Sequence, residues 1–368
     1  MAEHQSDLYF ANPTTGALRS PTPYKELLAC LGRITTLNPP VHTCSTGWAF
    51  HGFYSGPTSI AYLFWRLSIL YPELEFKQQS LLEWAESYLS LGAPGHRPAP
   101  TANNCGIDNE TLAHTAMEVL MADDAGAARK LCSFERVIND EINDDGFNDW
   151  RYGRAGYLYY LRLCKSSPSF IDNPRINEAI EKTVRRILKV PQPWIRHGKE
   201  TAGPQGTVGI ICQIVLSMPQ VAAELQELLA SLLDEHFDDG IVQFCQGGPG
   251  FVLSLRSLQP YYPDLATKIA AAISRAQSDL WRRGLLKKMP CLCHGIAGNA
   301  LALDDQAQFL HFLSFMSTED MAERGWLRDI ELSRQDMASL FTGEAGRAWS
   351  WAVADQSLSK TCIGFNDV

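Results

Sequence analysis

Apolar residues along the chain recur at helical spacing. After Gly153, the positions Tyr157, Leu158, Tyr160, Leu161 and Leu163 share a broad apolar face, as do Phe251, Val252, Leu253 and Leu255 after Gly247. Recurrence at i, i+3 and i+4 predicts α-helix. The stretches between these, such as residues 221–233 (VAAELQELLASLL), keep the same period with more polar positions. No run sustains the two-residue alternation of a strand. The pattern therefore predicts an all-α protein.

Self-similarity turns this into an architecture. A Gly-x-x-Gly element precedes the helical stretches: Gly153-Arg-Ala-Gly156, Gly206-Thr-Val-Gly209, Gly247-Gly-Pro-Gly250, Gly295-Ile-Ala-Gly298 and Gly343-Glu-Ala-Gly346. Two degenerate copies, Gly56-Pro-Thr-Ser59 and Gly106-Ile-Asp-Asn109, come before them. Their first positions are separated by 50, 47, 53, 41, 48 and 48 residues. Such a step holds two helices of roughly 12–15 residues with their loops. The seven helix pairs predict a closed double ring, an (α/α) barrel or toroid, with an open solenoid as the alternative. Glycine at the start of each inner helix permits a sharp turn and close backbone approach. It also leaves helix N-termini pointing at the centre. Ser59 and Asn109 read as tolerable replacements for the second glycine. Residues 92–100 (GAPGHRPAP) read as a loop, and no Gly- or Ser-rich linker breaks the array. One domain over residues 1–368 is expected, with 1–40 an N-terminal extension or first outer helix.

Composition removes several function classes. The chain carries 32 Lys and Arg against 41 Asp and Glu, for a net charge of −9. That balance argues against a nucleic-acid surface. The N-terminus lacks a basic stretch followed by an apolar core, so no secretory signal is expected. No uninterrupted apolar run reaches the ~18 residues of a membrane span. Ten cysteines are too few for a disulfide scaffold, and with no signal they point to the reducing cytoplasm. They read as core thiols or metal ligands.

Two of the elements carry metal-binding residue types beside their first glycine. Repeat five reads Gln243-Phe-Cys245-Gln246-Gly247, and repeat six reads Cys291-Leu-Cys293-His294-Gly295. Cys245 and Cys293 each stand two residues before that glycine, so in a closed ring they lie side by side at the barrel mouth. Two thiolates and an imidazole suit zinc. Three protein ligands leave an open position, the pattern of a catalytic site. Cys291 could also chelate, but the register matches Cys293 to Cys245 and leaves Cys291 a bystander. Cys30, Cys132, Cys164 and Cys212 lie on apolar stretches and read as buried small hydrophobes. His114 and His311 read as surface or packing residues.

The element Cys293-His-Gly-Ile-Ala-Gly298 together with Cys245-Gln-Gly-Gly-Pro-Gly250 resembles the lanthionine synthetase C-like family, and its eukaryotic branch more than the bacterial cyclases. Residues 284–300 (GLLKKMPCLCHGIAGNA), 152–158 (YGRAGYL) and 339–346 (SLFTGEAG) carry the likeness, which runs from about Gly47 to the last repeat.

That resemblance implies a seven-fold (α/α) barrel with zinc held by Cys245, Cys293 and His294. It implies activation of a cysteine or glutathione thiol for addition to dehydroalanine or dehydrobutyrine, giving a thioether. The acceptor would be a dehydrated peptide or protein, or a small-molecule electrophile. By the same resemblance Asp149 takes the family's acidic position, and Arg154 orients it or binds substrate. Lys288 is assigned to the carboxylate of the thiol donor, the alternative being a solvated Lys287-Lys288 pair.

The family's histidine before the first glycine of repeat four is Gln205 here, and Gln cannot exchange a proton near neutral pH. Gln246 and Ile241 are further departures, and His197 is the nearest imidazole to Gln205 in sequence. Losing a general acid costs about 10²–10⁴-fold. Two other readings therefore stay open: a repurposed zinc enzyme of small-molecule biosynthesis, and a glutathione-binding regulatory protein without turnover.

Overall fold

The structure is a computed structural model. It describes residues 8–12, 21–41, 48–92, 97–141, 147–191, 194, 203–234, 242–328 and 337–368. His197 and Ile241 lie outside the described residues.

The chain runs through α1 (Pro23–Leu37), α2 (Pro57–Leu70), α3 (Leu81–Leu89), α4 (Glu110–Ala122), α5 (Ala125–Ser133), α6 (Glu135–Ile138), α7 (Arg154–Lys165) and α8 (Pro174–Lys189). It continues through α9 (Thr207–Ser217), α10 (Ala222–Asp234), α11 (Gly248–Leu258), α12 (Ala266–Arg283), α13 (Ile296–Leu301), α14 (Gln306–Ser314), α15 (Thr318–Glu323) and α16 (Glu344–Asp355). A two-residue hairpin, Glu75–Phe76 with Gln79–Ser80, leads into α3.

Helices α2, α4, α7, α9, α11, α13 and α16 each pack against the next, and α16 packs back on α2. The ring is closed, which excludes the open solenoid. Outside it, α3, α5, α8, α10, α12 and α14 each pack on the inner helix that precedes them. The seventh outer helix is α1, which packs on α16. The opening helix thus completes the last repeat.

Burial separates the two layers. Every residue of α7 from Arg154 to Cys164 is buried, because its neighbours on the ring and the layer outside leave it no free face. In α8 only one stripe is covered, by Ile176, Ala179, Ile180, Val184 and Ile187. Arg175, Glu178, Glu181 and Arg185 of that helix face solvent.

Six inner helices start on a glycine cap: Gly56, Gly153, Gly206, Gly247, Gly295 and Gly343. Repeat two corrects the sequence register. There the cap is Asn109, whose side chain accepts from Leu112 N at 3.0 Å, and α4 begins at Glu110. Asn109 therefore holds the first-glycine position and does not replace the second glycine. Gly106 lies three residues earlier, pressed on the next repeat: a Cβ there would stand 2.3 Å from the Arg151 carbonyl. A Cβ on Gly156 would in turn stand 2.5 Å from Gly106 Cα. Glycine is required at both for the backbones to touch.

A backbone girdle ties the N-terminal ends of the inner helices. Cys245 N donates to Cys293 O at 3.1 Å, Cys293 N to Phe341 O at 2.9 Å, and Phe341 N to Tyr54 O at 3.1 Å. Phe53 N then donates to Ile107 O at 3.0 Å, and Asp108 N to Arg151 O at 3.1 Å. Below this girdle Trp150, Phe244, Phe341 and Phe365 meet edge to face and stacked, with centroids 5.0–5.9 Å apart.

Phe365 belongs to a segment, residues 361–368, that fills the barrel from the other end. Gln213 Nε2 donates to Phe365 O at 2.9 Å and Asn366 Nδ2 to Leu253 O at 3.2 Å. The buried Asp367 carboxylate accepts from Arg66 (2.8 Å), Tyr62 (2.8 Å) and Tyr159 (3.0 Å). These contacts seat residues 361–368 against α2, α7, α9 and α11, as a plug within the ring.

Candidate metal and thiol site at the barrel mouth

The residues just before each inner-helix cap form the rim of the open end, because the girdle holds every repeat at that height. Cys245 and Cys293 occupy matched places on adjacent repeats and bond through their backbones. The register thus brings the two thiols together, both buried. His294 follows Cys293 and is only half-buried.

Their electrostatics are those of a coupled cluster. The side-chain hydrogen bond from Cys245, reinforced by those of His294 and Tyr54, holds the Cys293 thiol well below its usual range despite burial. The same contact, together with burial, holds Cys245 well above that range. Hydrogen bonds to Cys291 and Cys293 push the His294 imidazole up to about 10. The Tyr54 hydroxyl donates to Cys293 Sγ at 3.1 Å. The Cys293 thiol and the His294 imidazole are thus hydrogen-bonded to one another, and Cys291 also contacts the imidazole.

Two thiols and an imidazole linked pairwise through Cys293 are a donor set whose chemistry suits a thiophilic divalent ion. Among the described residues, no three His, Cys, Asp or Glu side chains converge as a formed metal-binding group. The fit is thus one of donor chemistry and pairwise contact.

The other residues singled out in the sequence divide between rim and interior. The buried Asp149 accepts from Arg151 N at 2.8 Å and Tyr152 N at 2.9 Å, which shapes the turn into α7. Arg154 is fully buried and donates to Ile138 O at 3.1 Å and Asn148 Oδ1 at 3.0 Å. Its guanidinium braces the turn that carries Asp149 and stands apart from the thiols. Gln205 stands beside Cys245, where its backbone N–H donates to Cys245 O at 3.3 Å. Its Oε1 accepts from Gln246 Nε2 at 3.2 Å, so two of the departures from the family pattern are partners. Lys288 is exposed and donates to Gln243 Oε1 at 3.1 Å.

Three rim residues escaped the sequence reading. Tyr54 and Arg151 stand two places before their caps, as Cys245 and Cys293 do, and the corrected register puts Asp108 one place before Asn109. The Arg151 guanidinium lies 3.7 Å from the centre of the Tyr54 ring. The other partners are Phe341, stacked on Tyr54 at 5.5 Å, and Asp108, whose carboxylate is 4.0 Å from Arg151 and 3.7 Å from His51 Nδ1. The signal that would have found Asp108 is the Asn109 cap before an apolar helix.

A closed ring of helix pairs with a thiol–imidazole cluster at one end defines a toroidal α/α-barrel protein. The chain matches the lanthionine synthetase C-like protein family over residues 47–312, well over half its length, and belongs to that family. Among solved structures, nisin cyclase aligns with a TM-score of 0.50 at 14% identity, covering 92% of this chain and 94% of that one. At that identity the likeness is one of fold. No helix among the described residues is long and apolar enough to cross a membrane.

Proposed function

We propose that this chain forms thioethers by adding a thiol to an electrophilic alkene, with zinc held by Cys245, Cys293 and His294. The observation that carries this reading is the chain of pairwise contacts from Cys245 to Cys293 and from Cys293 to His294 in a lanthionine synthetase C-like barrel. Zinc, when bound, supplies the Lewis acidity that keeps a substrate thiol ionised near neutral pH. The chain's own residues bind and orient. Lys288, exposed beside Gln243, takes the carboxylate of a glutathione or cysteine donor. Asp149, braced by Arg154 through the turn, takes the acidic position in proton handling. The acceptor is a dehydroalanine or dehydrobutyrine in a dehydrated peptide or protein, in keeping with membership of the lanthionine synthetase C-like family. The reducing cytoplasm suits a site built from free thiols.

One observation favours a second reading. Gln205 and Gln246 form an amide pair beside Cys245, and an amide transfers no proton near neutral pH. A chain that holds glutathione without turnover, or that has moved to a small-molecule electrophile, fits that pair. The test incubates zinc-loaded protein with glutathione and a dehydroalanine peptide, followed by mass spectrometry. A glutathione–peptide thioether supports the first reading, and bound glutathione without adduct supports the second. Cys293→Ala is expected to lose most of the zinc, and unchanged zinc content would sink the ligand assignment.

A further inference from the structure

The charge on the rim is asymmetric. Beside Cys245 the rim offers the neutral amides Gln205 and Gln246. Across the mouth it offers a cation, Arg151, whose bonding is incomplete. Its side chain is one-quarter exposed, and its ion pair to Asp108 is long at 4.0 Å. The Arg151 Nε is buried with no hydrogen-bond partner among the described residues. Guanidinium presents five N–H donors in a fixed plane and stays charged at any physiological pH. This one is fixed by stacking at 3.7 Å on Tyr54, whose hydroxyl reaches Cys293 Sγ at 3.1 Å. A single phenol therefore separates the thiol cluster from a preorganised cation with donors to spare.

We propose that Arg151 is a catalytic residue that binds the carbonyl oxygen of the electrophile and stabilises the negative charge developing there. The inference rests on the thiol-addition reading above and deepens it by assigning a residue to the carbonyl of the conjugated acceptor. In such a molecule three bonds separate the attacked carbon from the oxygen, so one acceptor can face the thiol site and Arg151 together. The donor thiol first gives its proton to water. The sulfur–carbon bond then forms at the β-carbon while the alkene π pair becomes a new double bond between the α-carbon and the carbonyl carbon, and the carbonyl π pair moves onto the oxygen, giving an enolate hydrogen-bonded by Arg151. The enolate takes a proton from water at the α-carbon, so thiol and alkene combine with no other reactant. Asp108, itself paired with His51, holds the guanidinium in the plane set by Tyr54 and is a positioning residue.

The experiment compares wild type, Arg151→Lys, Arg151→Gln and the double variant Arg151→Gln/Asp108→Asn, which leaves no unpaired carboxylate in the rim. Glutathione and an N-acyl-dehydroalanine amide are the substrates. Zinc content, the KM for glutathione and kcat are measured for each. Removal of one oxyanion donor is expected to lower kcat about 10²–10³-fold, with zinc content and the glutathione KM unchanged and Arg151→Lys recovering part of the loss. Double-variant kcat within threefold of wild type overturns the role of Arg151. So does loss of zinc or glutathione binding in proportion to kcat, which marks a structural residue. Absence of adduct with wild type overturns the reaction itself, and the two failures are thereby separated.

Discussion

Glu110 offers a sharp test of how the rim is held. Its carboxylate accepts from Gly52 N at 3.0 Å and from the Thr58 hydroxyl, and so anchors the loop that presents Tyr54. The side chain is fully buried, and burial pushes its carboxyl from an ordinary 4.5 up to about 7. The folded chain thus keeps a proton that the unfolded chain releases. The stabilisation is complete below pH 4.5, shrinks as pH rises, and is gone above about 7. At 1.36 kcal/mol per pH unit the gap corresponds to roughly 3 kcal/mol. Glu110→Gln stays neutral and keeps an acceptor for Gly52, so its stability relative to wild type should rise by up to that amount between pH 5 and pH 8. Urea midpoints for both proteins at the two pH values give the difference directly. The nearby His114, lowered to about 4 mainly by burial, weakens the fold as pH falls below its ordinary 6.5, but it is present in both proteins and cancels. An equal offset at pH 5 and pH 8 would refute the reasoning.

Two further variants probe the ends of the barrel. Gln205→His restores a group able to exchange protons beside Cys245; a gain approaching about 10²-fold in thioether formation is expected, and an unchanged rate would mean that protonation is served elsewhere on the rim. Asp367→Asn removes the charge that Arg66, Tyr62 and Tyr159 converge on. Breaking a buried pair by deleting one partner costs about 3–5 kcal/mol, and the partial exposure of Arg66 puts this case near the lower figure; a urea-unfolding loss under about 1 kcal/mol would show that the plug is not held by charge.

The barrel and its thiol pair were legible because both are written as spacing. Glycine recurs before each buried helix, and two cysteines share one offset from it, so symmetry alone brought Cys245 to Cys293. The same logic failed in repeat two, where a side-chain cap does the work of glycine. Aligning Gly106 with the first glycines displaced the register by three residues and hid Asp108. Tyr54 and Arg151 were missed for another reason: they hold the same offset as the cysteines, but a phenol and a guanidinium announce metal chemistry to no one reading residue types. The pairing of Gln205 with Gln246 and the position of residues 361–368 inside the ring depend on tertiary contact, which leaves no periodic trace.

The helix that opens the described chain completes the repeat that closes it. Because α1 packs on α16, no contiguous stretch contains all of the seventh helix pair, and the girdle from Phe341 to Tyr54 spans the same long separation. An open solenoid can fray from its ends one unit at a time. Here α1 touches the first repeat only through single contacts such as Tyr24 with Tyr71 and Lys77 with Thr36, and its main packing waits for the last repeat, so the first and last repeats must lock together in one long-range step. The barrel should therefore gain its structure late and lose it as a whole, with a folding rate governed by chain closure. The two thiols, on repeats five and six, would then meet in a finished mouth only after that closure.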